Sequence, residues 1–248
     1  MCSSDLSAIG NWSLAREQWI AAGLDLAPGD DPLDEDRGVV SVRLNAWASG
    51  ETMFADRIGI ARARIRNIPL PESGHRYGDL VLIDGAKTGE RSYGEAIVPV
   101  FNELQRLEPS EFITYEARVD CASADDAEAL ESFTGPGIGI VEDWSRSLTF
   151  HCKACSYGLP HAHAEREPDS TGWIRERHVG IAATSRSAVD SLLEAWTREG
   201  RTGAFLERLA RRRARRAVLE VEEVDTPVPE LAEDGQWWAE PKVDAATD

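Results

Sequence analysis

The clearest alternation of apolar and polar positions lies in the second half of the chain. Ile113, Tyr115, Ala117, Val119 and Cys121 alternate with Thr114, Glu116, Arg118 and Asp120, the period of two that a half-buried strand imposes. Cys121 is thereby placed on the core face. Ser123 followed by Asp126 forms a capping box, and Ala127, Leu130 and Phe133 give the helix it starts an apolar stripe. The unit recurs: Val179, Ile181 and Ala183 alternate, Ser187 and Asp190 cap, and Val189, Leu192, Leu193 and Trp196 fall at helical spacing. The interval from Ser123 to Leu130 repeats from Ser185 to Leu192. Further strands at Ile138–Val141, Leu148–Cys152 and Ala217–Val221 complete the order β-α-β-β-α-β. Residues 110–224 are therefore expected to form a ferredoxin-like α+β sandwich, with a zinc-knuckle insertion argued below.

The first half is patterned differently. Val40, Val42 and Leu44 alternate with Ser41 and Arg43, and Ala61, Ala63 and Ile65 with Arg62, Arg64 and Arg66. Pro69, Pro71, Ser73 and Gly74 make a loop before the apolar run Leu80 to Ile83. Residues 37–107 are expected to form a small β-rich domain, a sheet or partial barrel. Met53 to Asp84 is similar to small β domains of unknown function in uncharacterised bacterial proteins, a resemblance that implies no activity. Ahead of this, Trp12, Ala15, Trp19 and Ala22 predict a helix over residues 11–26, ended by Ala27-Pro28-Gly29-Asp30. It resembles the second helix of a tetratricopeptide repeat, where an Ala, an aromatic and another Ala precede a Leu-x-Pro ending; here the Pro falls one residue late. The resemblance implies that residues 7–29 are the remnant of a helical array, in the C-terminal region of an uncharacterised bacterial tetratricopeptide-repeat protein. Met1-Cys2-Ser3-Ser4-Asp5-Leu6 matches the translation of a common sequencing-adapter tail, so residues 1–6 are expected not to be native and the protein to extend further upstream.

Charge narrows the classes of partner. Against 27 basic residues stand 44 acidic ones, a net charge of −17, which favours solubility and opposes general affinity for phosphate backbones. No apolar run approaches the roughly 20 residues of a membrane span, and the start lacks the pattern of a secretory signal. A cytoplasmic location is expected, without membrane association. With Cys2 set aside, Cys121, Cys152 and Cys155 remain. An odd number in a chain of this length favours metal or core roles over disulfides.

One stretch points to a specific chemistry. Cys152, Cys155, His161 and His163 place four good ligands within twelve residues, interrupted by Gly158, which lets the chain turn back. Two thiolates and two imidazoles suit tetrahedral zinc, and a closed Cys2His2 set leaves no position for water, so the expected cofactor is structural zinc. Such a site contributes on the order of 10 kcal/mol to folding. The bland alternative is a solvated loop with incidental cysteines and histidines. A thioredoxin-type role requires the Cys-x-x-Cys at a helix N-terminus after a core strand, whereas this one runs into Ser156-Tyr157-Gly158. His151 and His178, in strands, are competing ligands expected to face elsewhere.

Arg208, Arg211, Arg212, Arg213, Arg215 and Arg216 form a basic segment, either a nucleic-acid contact or a solvated face paired with the acidic tail. Residues 225–248 are acidic and Pro-bearing, expected to be mostly disordered. Within them Trp237 and Trp238 are candidate anchors for a partner. Enzyme signatures are missing: no Gly-x-Ser-x-Gly, phosphate loop or His-Glu-x-x-His, so no catalytic residue is assigned. The sequence thus points to a zinc-stabilised protein-interaction module with an unknown protein partner. An Arg-mediated nucleic-acid binder and a metal-dependent hydrolase using Glu165 are the alternatives.

Overall fold

The structure, a computed structural model, describes residues 3–47, 50–149, 151–161, 172–199 and 218–223. Two short helices come first, α1 (Ser3–Ala8) and α2 (Trp12–Ala21). Asn11 caps α2, its Oδ1 accepting from Leu14 N at 3.3 Å. The helix stops well short of the expected residue 26. Gly23 adopts φ 93°, and the amides of Gly23 and Leu24 close on the carbonyls of Ile20 and Trp19, a Schellman ending that glycine permits. Leu6, Ala15 and Trp19 are buried together with Leu33, Ile60, Ala61 and Leu82, so both helices lie on the outside of the β unit that follows.

That unit contains β1 (Asp36–Leu44), β2 (Glu51–Ile58), β3 (Arg62–Ile65), β4 (Leu80–Ile83), β5 (Gly89–Tyr93) and β6 (Ala96–Glu108). β1 to β4 run as an antiparallel meander, and β6 pairs antiparallel with β4 and parallel with β1, closing a five-stranded barrel. β5 folds back on the first half of β6. Alternate residues from every barrel strand meet inside: Val40, Val42, Leu44, Ala55, Ala63, Ile65, Val81, Ile83 and Phe101. Closure removes the open edge that a partial barrel would leave.

The second unit contains β7 (Ile113–Asp120), α3 (Ala124–Glu131), β8 (Ile138–Asp143), α4 (Trp144–Ser147), α5 (Lys153–Tyr157), β9 (Glu176–Ala183), α6 (Arg186–Glu199) and β10 (Val218–Glu223). Its sheet has the order β10-β7-β9-β8, every neighbour antiparallel. The fold is therefore mixed α+β. The inward residues of β7 and β9, with Cys121 directly after β7, pack with Ala127 and Leu130 of α3 and with Val189, Leu192, Leu193 and Trp196 of α6. Asp126 reaches back to Ser123 N at 3.2 Å, as a capping box requires. At α6 the capping oxygen belongs to Ser185, which accepts from Ala188 N at 3.3 Å, and not to Ser187; Asp190 instead pairs with Arg186. The strand expected over Leu148–Cys152 does not form among the described residues. Leu148 ends α4, and Cys152 turns its own sulfur onto the next turn as the cap of α5.

The units meet through Ile68, Trp144 and Ala182, flanked by Leu70, Tyr77, Phe112 and Ile140. A Cβ at Gly180 would lie 2.5 Å from the Trp144 ring, so only glycine lets the indole seat there. Glu142 clamps across the junction, accepting from Asn67 Nδ2 at 2.6 Å and Ile68 N at 3.1 Å.

Candidate metal centre

The metal-ligating residues are assembled by one helical turn and its caps. Cys152 has extended backbone angles and accepts from Cys155 N at 3.5 Å. The turn ends at Gly158, φ 67°, where Gly158 N and Leu159 N return to Cys155 O and Ala154 O, each at 3.0 Å. This reversal delivers His161 to the two sulfurs. Its Nε2 lies 3.1 Å from Cys152 Sγ and 3.4 Å from Cys155 Sγ. Tetrahedral zinc with ordinary bond lengths would set sulfur and nitrogen about 3.5 Å apart. Nδ1 of His161 lies 2.9 Å from Leu159 O. That contact fixes the proton on Nδ1 and leaves the Nε2 lone pair facing the sulfurs, the usual arrangement of a ligating histidine.

The local electrostatics prepare one thiolate. The Cys155 amide, with help from His161, lowers the Cys152 thiol to about 7, whereas burial and the facing Cys152 raise Cys155. A metal binds thiolates, so a thiol that ionises near neutrality gives it a first anchor. Among the described residues the trio of Cys152, Cys155 and His161 is the one His, Cys, Asp and Glu group whose ligand atoms all lie within 4.8 Å of one another. His163 lies outside the described residues, as do Glu165, the six arginines from Arg208 to Arg216, and Trp237 and Trp238. His151 and His178 are outside this trio: His151, which is not in a strand, has Nε2 3.3 Å from Arg91 Nη1, and His178 Nε2 is 3.2 Å from Glu116.

The trio belongs to the connection between β8 and β9, yet it is docked on the barrel. Arg43 Nε donates to Ser156 Oγ at 2.8 Å, and its guanidinium lies 4.3 Å from the centre of the Tyr157 ring. Arg91 Nη2 donates to Cys155 O at 2.9 Å, Thr88 Oγ1 to Tyr157 O at 3.0 Å, and Glu90 N to Gly158 O at 3.0 Å. Nothing in the sequence announced this. In the β1 pattern Arg43 stands as an outward residue of the polar face; α5 covers it, leaving it 7% exposed.

No protein-family model matches the chain, and no curated protein does. Among solved structures, it is similar to a hypothetical protein from Neisseria gonorrhoeae. The TM-score is 0.30 at 14% identity, covering 77% of this chain and 96% of that one.

Sequence reasoning also missed two polar sites. A cleft of about 600 Å³ opens between β2, the segment 67–70, α4 and the loop after it. Two carboxyls line it, Glu51 and Glu142. Burial outweighs the Leu70 and Ser73 hydrogen bonds to Glu51 and pushes its carboxyl up to about 7. Burial likewise raises Glu142. Beside the barrel, His75 is 5% exposed, with Nδ1 3.6 Å from Asp79 and Nε2 3.3 Å from Glu103. Burial opposes its charge, but the two carboxylates overcome that and lift it to about 9. Glu51 and Glu142 are far apart in sequence, as is Glu103 from the His75–Asp79 pair, so only folding brings them together. No helix among the described residues is long and apolar enough to cross a membrane.

Proposed function

We propose that the chain is a zinc-stabilised protein-interaction module of the bacterial cytoplasm, with one structural zinc held by Cys152, Cys155, His161 and His163. The observation that carries the metal is His161, its Nε2 directed at both sulfurs while Nδ1 is tied to Leu159 O. The structural role is supported by what surrounds the trio: Arg43, Thr88, Glu90 and Arg91 hold its turn against the barrel. A metal that fixes the turn thereby fixes the β8–β9 connection to the other unit. In this reading the second unit is a ferredoxin-like sandwich carrying a zinc knuckle, supported by the strand order β10-β7-β9-β8. The interaction role is supported by Trp47, 80% exposed, which shares a surface recess with Lys153 and Tyr157 of α5. Attachment to a tetratricopeptide array stays part of the proposal on Trp12, Ala15, Trp19 and Ala22 alone.

Elemental analysis of the purified protein tests the metal, with one zinc per chain expected. Cys152→Ser should lose it and lower the melting temperature by at least about 10 °C, given the several kcal/mol a structural zinc supplies. Metal-free protein with undiminished stability would end the zinc reading. For the interaction role, proximity labelling in bacterial cytosol should find a partner with the wild-type chain and lose it with Trp47→Ser at equal zinc content. Identical labelling by the two would end that half.

A further inference from the structure

We propose that the cleft between the barrel and the second unit binds a small primary amine with an apolar body, its ammonium group held between the carboxylates of Glu51 and Glu142. A volume of about 600 Å³ lies within the usual range of small-molecule sites, which pair apolar walls with a few convergent polar groups. Phe54, Ile68, Leu70 and Leu148 supply apolar wall here.

The two carboxylates are positioned by one segment. Leu70 N donates to both oxygens of Glu51, at 3.0 and 3.2 Å, and Ile68 N to Glu142 Oε2 at 3.1 Å. Both carboxylates line the cleft, so an ammonium there meets two acidic groups held by one segment.

The charge balance also calls for a cation. The donors to Glu142 are the neutral Asn67 and Ile68, and the charge that bears on it is another acid, Glu131. Glu51 faces Glu72 as well as His75. Burial is the main cause of both raised values, opposed at Glu51 by His75, and a bound ammonium would favour the charged form of each carboxyl. The end of the cleft beside α5 carries Arg91, 3.3 Å from His151. That end repels a second positive charge and selects a monoamine. Neither glutamate belongs to the metal trio, so this inference stands apart from the zinc reading.

The test is calorimetric titration of the full chain, at pH 8 and with its zinc content measured, using 2-phenylethylamine and its neutral counterpart 2-phenylethanol. The amine is expected to bind at least tenfold more tightly than the alcohol. Glu51→Gln should weaken the amine at least tenfold without changing the alcohol. Leu148→Arg, which sets a cation at the 40% exposed rim position, should weaken the amine without lowering the melting temperature. Glu142 also clamps the two units, so the test rests on these two variants. Equal binding of the two probes, no binding by either, or unchanged amine affinity in Glu51→Gln overturns the proposal.

Discussion

Gly158→Ala separates the docking of the metal turn from the cost of its backbone. Gly158 sits at φ 67°, and a Cβ there would lie 2.6 Å from Glu90 O, 2.7 Å from Glu90 N and 2.7 Å from Val100 Cγ2. An L-residue in the left-handed region costs about 1–2 kcal/mol by itself. Moving the turn away from β5 enough to admit the methyl forfeits the hydrogen bond from Glu90 N to Gly158 O, worth about 1 kcal/mol net. Overpacking against β5 and β6 adds about 1–2 kcal/mol. The expected loss is about 3–5 kcal/mol, or on the order of 10 °C in melting temperature for a chain of this size. Gly94 provides the control: its φ is 59° and nothing lies within 4 Å of a Cβ there, so Gly94→Ala should cost only the backbone contribution, about 1–2 kcal/mol. Urea denaturation of both variants, with and without chelator, measures the difference. Equal losses at the two positions would mean that the turn is not seated on β5, and the interunit role of the metal centre would fall with it.

Two further outcomes follow from buried charge. The pKa of His75, about 9, lies above the unfolded value near 6.5, so its contribution is fully present below about pH 6.5 and lost as pH rises through 9. His75→Gln should lower stability by about 2 kcal/mol at pH 6 and flatten the fall between pH 6.5 and 9; an unchanged pH profile would exclude a charged His75. Asp143 accepts from Arg177 Nε at 2.9 Å and Nη2 at 2.6 Å, and caps α4 through Ser145 N at 3.1 Å. Asp143→Ala strands a guanidinium that is 8% exposed and should cost about 3–5 kcal/mol in urea titration; a loss under about 1 kcal/mol would show that the pair is solvated.

Local order was legible where neighbouring residues alone decide it. The alternation through Ile113 to Cys121 and through Val179 to Ala183 gave two strands, because a strand with one buried face writes its period into the sequence. Trp12 to Ala21 read as helix for the same kind of reason, but its end did not: Gly23 closes it, and the Pro28 that marked the expected end stands in coil. Leu148 to Cys152 failed differently. Leu148 N closes α4 on Trp144 O, and Cys152 Sγ accepts Cys155 N as the cap of α5 in place of a strand partner.

The sequence by itself determined that Cys152, Cys155 and His161 could meet. Separations of three, six and nine residues and one glycine are enough to fold three ligand atoms together, whatever the rest of the chain does. The tertiary structure decided what that turn rests on, and it decided the sites with no local signature. Barrel closure requires Ser41 to pair beside Val100, the seat of α5 requires Arg43 and Arg91 from different strands, and the cleft requires Glu51 and Glu142 from different units. These are contacts between residues tens of positions apart, and each is fixed by which surfaces can be buried together and not by any spacing along the chain.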